Sequence, residues 1–292
     1  RGLGDVYKRQ SIRFKHFKKT YDENILDIKG GLNDVVMNNS PIDIDKLIEG
    51  TNEILTANRN SLQLFDMLHS MRQFDDLTYV HSVNVALIAS ILGQWLKFSE
   101  KDIRILTISG LLHDIGKIMI PNEILTKPGK LTVAEYNIMK QHVNFGYEKV
   151  KNQNIDIRIK EACLLHHEKC DGTGYPFGLK SDHIPAVAKI IAIADVYDAM
   201  TSARVYRGAL CPFEVIDTMY KDAFTKFEPE YILPFLKNVA SSYINNDVRL
   251  SDGRIGKVVL INENALSLPI VQCEDEFIDL SKTRGLTVSA IL

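Results

Sequence analysis

Five of the eight histidines in this 292-residue chain fall where they could share chemistry. His113 is followed at once by Asp114, and His166 by His167. His81 and His142 stand alone in helical patterns, and Asp195 lies within an apolar stretch. A neutral imidazole offers one nitrogen lone pair, whereas a carboxylate offers two oxygens that can face two cations at once. Lys117, three residues after Asp114, can bring a point charge to a phosphate. A carboxylate inside an apolar helix is costly unless it is paired or bound to metal, so Asp195 resists explanation as ordinary packing. Any one of these histidines alone would read as a hydrogen-bonded core or surface residue. Together, the His-His pair, the His-Asp pair and the buried Asp point to a metal centre, while His16, His69 and His183 keep the ordinary reading. Five imidazoles and two carboxylates are too many for one ion that must also hold water. Two divalent transition-metal ions are therefore expected, with Asp114 bridging them. Nitrogen and oxygen donors without thiolate suit iron, manganese, zinc or nickel, and disfavour a structural cysteine-type zinc site.

The elements that must position these residues are mainly helical. Val83, Leu87, Ile91 and Trp95 recur at four-residue steps, with Val80 and Ile88 widening the stripe. This pattern predicts a helix over Tyr79–Leu96 with His81 in its first turn. Ser99-x-x-Asp102 opens a helix that runs into His113-Asp114, and Thr132-x-x-Glu135 opens another, expected to carry His142 three turns along. A helix from Ile155 to about Glu168 ends at the His166-His167 pair. Asp171-Gly172-Thr173-Gly174-Tyr175-Pro176 is dense in turn formers and reads as a loop. Gly172 and Gly174 are expected to supply backbone freedom there. After Pro185, Val187–Met200 is apolar nearly all round, so it should be central. Pro212 and Pro229 suit the first turns of two further helices. Upstream, Asp43 or Asp45 caps a helix to about Ala57, and another covers Leu62–Phe74. Residues 11 to 40 are polar, and their periodicity is too weak to give an element. From Asp247 the texture changes to β-branched runs, Ile255–Ile261 and Leu286–Ile291 among them, which read as short strands.

Composition sets outer bounds. Hydrophobic residues at 45% and charged residues at 25% describe an ordinary globular protein, and a net charge of −2 argues against a nucleic-acid polymer as partner. No apolar run reaches the ~18 residues of a membrane span. Cys163, Cys170, Cys211 and Cys273 form no Cys-x-x-Cys pair and read as reduced thiols of a cytoplasmic protein. Residues 1–10 show no period and resemble an artefactual tail. The expected organisation is that tail, an N-terminal helical segment over 11–74, a catalytic helical domain over 75–246 and a small β appendage over 247–292.

The motifs together resemble a known family. His81, His113-Asp114 and Asp195 match the pattern of the HD phosphohydrolase superfamily. With Lys117, Lys127-Pro128-Gly129, His142, His166-His167-Glu168, Asp171-Gly172-x-Gly174-Tyr175-Pro176 and Ala194-Asp195-x-Tyr197-Asp198-Ala199, the string from about Tyr79 to Tyr243 resembles the HD-GYP family. The resemblance implies an HD-domain helical bundle that acts as a metal-dependent phosphodiesterase. Such an enzyme opens cyclic di-GMP to pGpG, GMP or both in bacterial second-messenger signalling. One metal would then be held by His81, His113, Asp114 and Asp195, and the other by Asp114, His142, His166 and His167. Iron or manganese is the leading expectation, ahead of zinc or nickel. Some members hold a third metal through a glutamate one turn before the first histidine. Leu77 stands there, so two metals are expected. Asp114 and Lys117 are the implied catalytic residues. Lys117, Gly174, Tyr175, Pro176, Arg204 and Arg207 are the implied substrate contacts. The alternatives are an enzyme for cyclic GMP-AMP and an inactive cyclic-dinucleotide receptor or adaptor. Diguanylate cyclase (GGDEF) proteins and a second copy of the chain are the partners the resemblance suggests.

Overall fold

The computed structural model describes residues 12–58, 61–71, 77–202 and 210–292. Its chain begins with α1 (Ile12–Asn38), α2 (Ile44–Ala57) and α3 (Ser61–Met71). The helical body follows as α4 (Leu77–Trp95), α5 (Glu100–Leu112), a 3-10 turn (Ile115–Met119), α6 (Asn122–Leu125), α7 (Val133–Met139), α8 (His142–Val150) and α9 (Ile157–Leu165). Then come α10 (Ala186–Thr201), α11 (Pro212–Asp222) and α12 (Pro229–Ser242). Five short strands close the chain: β1 (Asp247–Leu250), β2 (Ile255–Leu260), β3 (Ile270–Cys273), β4 (Glu276–Asp279) and β5 (Val288–Ile291). They form one antiparallel sheet in the order β4-β3-β2-β1-β5. The architecture is mainly helical with a small C-terminal sheet, as the sequence predicts.

α4 and α10 are buried on nearly every face, which is why both read as apolar all round. α5 lies along α4, and its start is fixed by Ser99, whose side chain accepts the Asp102 N–H. Where the chain leaves α5, the 3-10 turn packs against α8 at Gly116. A Cβ on Gly116 would overlap the carbonyl oxygen of His142, so only glycine permits the approach that sets Asp114 beside His142.

Two expectations about elements need correction. His142 does not ride on the helix that begins at Thr132. That helix stops at Met139, the Gln141 N–H turns back to Ile138, and His142 starts α8. The tightened turn swings the imidazole inward, where its Nδ1 meets the Met139 carbonyl. Residues 12–38, which gave no element from sequence, form the long helix α1. Phe14, Phe17, Tyr21, Ile28, Leu32, Val35 and Val36 are all buried on it. Their stripe is helical, but buried Thr20 and Asn24 interrupt it with polar side chains and blur the pattern. Residues from α1 through the sheet contribute to one continuous hydrophobic core. The expected tail over 1–10 and the boundary at 74/75 lie outside the described residues.

Candidate metal centre

Three imidazoles share one arrangement. The Nδ1–H groups of His113, His142 and His166 donate to the carbonyl oxygens of Gly110, Met139 and Ala162 at 2.8, 2.8 and 3.0 Å. A carbonyl can only accept, so each ring is the Nδ1–H tautomer and each Nε2 carries a free lone pair. All three Nε2 atoms converge on Asp114, which is 1% exposed. Its Oδ1 lies 3.3 Å from His142 Nε2 and 3.8 Å from His166 Nε2. Its Oδ2 lies 3.3 Å from His113 Nε2 and 3.5 Å from His81 Nε2. Lys117 reaches the same Oδ2 from one turn on, with its side chain partly open to solvent.

Two groups of donors therefore meet at one carboxylate. His81, His113 and Asp114 form one, and Asp114, His142, His166 and His167 the other. Asp195 links them from above: Oδ1 is 2.9 Å from His81 Nε2, and Oδ2 is 3.8 Å from His167 Nδ1. Among the described residues, His113 Nε2 and Asp114 Oδ1 are buried without a hydrogen-bond partner. Such orphaned acceptors are rare and expensive. A divalent cation in each group would satisfy one of them, so the buried cluster is compatible with metal binding.

The electrostatics agree. Burial pushes the His113 pKa down, and that of His142 to about 3, so both rings are neutral. Burial beside His166 also holds His167 well below its ordinary value. Burial opposes ionisation of Asp114, but the Lys117 ammonium outweighs it and keeps the carboxyl well below the usual range. Asp195 is likewise held low against burial, chiefly by its hydrogen bond with His81. His81 differs. Burial pulls it down, yet hydrogen bonds to Asp195 and Asp198 lift it to about 9. His81 must therefore give up its Nε2 proton to ligate, whereas His113, His142 and His167 are already neutral imidazoles beside ionised carboxylates, the states that metal ligation requires.

The loop carrying the Gly-Tyr-Pro triplet is pinned by Glu168, which sequence reasoning quoted in a motif without giving it a role. Its buried carboxylate accepts the backbone N–H groups of Phe177, Gly178 and Leu179 at 2.7, 3.1 and 2.9 Å. Gly174 packs so closely that a Cβ would fall 2.5 Å from Glu168 Cα. Close approach, not backbone freedom, is what glycine supplies at 174, whereas Gly172 does take a positive φ of 82°. The Tyr175 ring then stacks on His167 with centroids 4.7 Å apart. Pro176 follows through a cis peptide bond. The Lys140 ammonium stands 5.3 Å from the Tyr136 ring centre and 5.9 Å from that of Tyr175, bracing α7 against the site's rim. A second residue without an assigned role, Asp198, accepts from His81 Nδ1 at 2.7 Å. Its signal was the second acidic residue of an apolar helix, three positions after Asp195.

Arg204 and Arg207 lie outside the described residues. His183 is exposed and, like His16, stands apart from the cluster. The cysteines are unpaired, and Cys163 Sγ donates to the Leu112 carbonyl in the core. No helix among the described residues is long and apolar enough to cross a membrane.

This fold and donor set define a recognised class. The family model described as "HD domain" matches residues 49–231, and the chain belongs to that family. An HDG"Y"P protein from Bdellovibrio bacteriovorus shares the fold, with a TM-score of 0.58 over 77% of this chain and 72% of that one at 18% identity. The HD-superfamily part of the resemblance read from the motifs is thus borne out, and the fold is that of an HDG"Y"P protein. Among curated relatives, the cyclic di-GMP phosphodiesterase PA4108 of Pseudomonas aeruginosa is 36% identical over 69% of this chain and 49% of its own length. The cyclic di-GMP phosphodiesterase response regulator RpfG of Xanthomonas campestris is 36% identical over 67% of this chain and 52% of its own. A 3'3'-cGAMP-specific phosphodiesterase of Vibrio cholerae is 30% identical over 73% of this chain and 40% of its own. The chain spans about half the length of the first two relatives.

Proposed function

We propose that this protein is a metal-dependent phosphodiesterase that hydrolyses cyclic di-GMP to pGpG, GMP or both. The observation that carries the reading is Asp114: one buried carboxylate with separate imidazole groups facing each of its oxygens. In this reading two divalent ions share Asp114. His81, His113 and Asp195 complete one site, and His142, His166 and His167 the other. When bound, the ions supply an activated water and neutralise charge that grows on the phosphoryl oxygens. Iron or manganese is the proposed metal.

The chain's own groups do the rest. Lys117, partly exposed beside Asp114, steadies the scissile phosphate and its developing negative charge. Tyr175, stacked on His167 and held by the Glu168 anchor, walls the site and fixes how a nucleotide enters. Arg204 and Arg207 are proposed to clasp the second phosphate. The complete set of seven donors argues against an inactive receptor. Cyclase (GGDEF) proteins, which make this dinucleotide, are the proposed partner class, and residues 75–246 the catalytic domain.

A second reading, hydrolysis of cyclic GMP-AMP, is favoured by the Vibrio cholerae relatives named for that substrate, 30% and 36% identical to this chain. Chromatography of products from both dinucleotides, using anaerobically purified protein loaded with manganese, decides between them. The proposal expects pGpG or GMP from cyclic di-GMP. Cleavage of cyclic GMP-AMP alone would transfer the activity to that substrate. Failure to cleave either would overturn the enzyme reading.

A further inference from the structure

His81 is the donor whose ring is oriented from farthest away. Its Nδ1–H donates to Asp198 Oδ2 at 2.7 Å, and Asp198 Oδ1 accepts the Asn84 side-chain amide at 3.0 Å and the Ser202 hydroxyl at 3.3 Å. Asn84, one turn beyond His81 on α4, presents its Oδ1 the other way, to the hydroxyl of Tyr21. Tyr21 belongs to α1, 60 positions before His81 in the sequence, and is 3% exposed. The four residues thus form an unbroken buried chain: Tyr21 Oη–H to Asn84, Asn84 Nδ2–H to Asp198, and His81 Nδ1–H to Asp198. Polarity leaves one arrangement. Asp198 can only accept, so Asn84 must turn its NH2 inward and its oxygen outward, where a hydroxyl donor is needed to satisfy it.

We infer that α1 is part of the outer shell of the metal centre, with Tyr21 a positioning residue that sets His81 through Asn84 and Asp198. The inference rests on the metal-centre reading above. A carboxylate holding the far nitrogen of a ligating imidazole fixes its tautomer and heading, and loss of such a partner commonly weakens metal affinity about 10- to 100-fold. Here the carboxylate is itself held by an amide that depends on a hydroxyl from another helix. The Tyr21 ring is anchored by Phe17, with centroids 5.7 Å apart, so the hydroxyl moves only as α1 moves. Displacing α1 would leave Asn84 Oδ1 buried without its donor and weaken the amide's hold on Asp198, the residue that orients His81. His142 and His166 of the other donor group, like His113 beside His81, are each oriented instead by a carbonyl close in sequence.

The test is calorimetric titration of chelator-stripped protein with manganese, without substrate. Wild type should bind two ions. Tyr21→Phe keeps the ring and removes only the hydroxyl. It should weaken one of the two sites about tenfold and leave the other unchanged. Asp198→Asn should weaken the same site by about 10- to 100-fold, and the double variant should be no weaker than Asp198→Asn alone. Val35→Ala, which trims buried packing of α1 about four turns from Tyr21, should leave both affinities within about twofold. Should Tyr21→Phe fail to fold, Asn84→Ser breaks the same chain one link inward and must give the same selective loss. Wild-type affinities in the hydroxyl-deleted protein, or an equal loss in Val35→Ala, overturn the inference. If wild type binds no manganese, the metal-centre reading itself fails. If it binds two ions yet cleaves no dinucleotide, only the proposed activity falls.

Discussion

The Nε2 atoms of His142 and His166 face each other at 3.4 Å, while the Nδ1 atoms of both rings donate to backbone carbonyls. Neither Nε2 can donate to the other without a second proton, and burial beside further imidazoles disfavours that proton on His142. Two lone pairs pointing at one another, with Asp114 Oδ1 close by, make a point of negative potential that a cation resolves.

Metal binding should therefore stabilise the fold. Manganese added to chelator-stripped protein at about 100 times its dissociation constant should contribute about 2.7 kcal/mol. At about 2–4 °C per kcal/mol for a chain of this size class, the melting temperature should rise by roughly 5–10 °C in a thermal scan. No rise at saturating manganese, iron or zinc would remove the argument from the paired imidazoles.

Lys117 is expected to act on substrate more than on metal. Lys117→Met should retain metal content by elemental analysis but lose about 10²- to 10³-fold in kcat, the usual cost of removing one group that stabilises transition-state charge. If the variant instead loses its metal and keeps its turnover per bound ion, Lys117 is a supporting residue of the centre.

Glu168 holds three N–H groups of the loop that carries Tyr175. Glu168→Gln keeps the shape but replaces one acceptor oxygen with a donor, so at least one N–H loses its partner. Amide exchange over residues 174–179 should accelerate at least tenfold, and KM should rise more than kcat falls. Unchanged exchange in this segment would show that the loop is held by other contacts.

Acid should loosen α7 before the core. Hydrogen bonds from Lys127, then from the Thr132 N–H and hydroxyl, pull the Glu135 pKa from 4.5 to about 2. A depressed carboxyl stabilises the folded form above pH 4.5, and this contribution fades as pH falls from 4.5 towards 2. Exchange of α7 amides, corrected for the intrinsic rate, should quicken across that window, and Glu135→Gln should abolish the pH dependence. A flat profile in the unsubstituted protein would contradict the assignment.

Much of this was legible in the sequence because it depends on local rules. Asp43, Ser99 and Thr132 cap helices where their side chains suggest, and Pro212 and Pro229 each open one. The apolar character of α4 and α10 followed from their burial on all sides. Less legible were features set by distant partners. α1 hides because Thr20 and Asn24 occupy buried positions, Asn24 bonded to Thr51 on α2. The turn before His142 carries no glycine or proline to mark it. The roles of Glu168 and Asp198 appear only once backbone N–H groups and imidazoles from elsewhere arrive at their oxygens. That the donors would share one pocket followed from their types and number. Which oxygen of Asp114 serves which histidines needed three dimensions.

The most direct test of the proposed centre is an anomalous-scattering map from crystals of the manganese- or iron-loaded protein. Two peaks are expected, one facing Asp114 Oδ2 among His81, His113 and Asp195, the other facing Oδ1 among His142, His166 and His167. A single peak away from Asp114, or a third peak beside Leu77, would contradict the two-metal assignment.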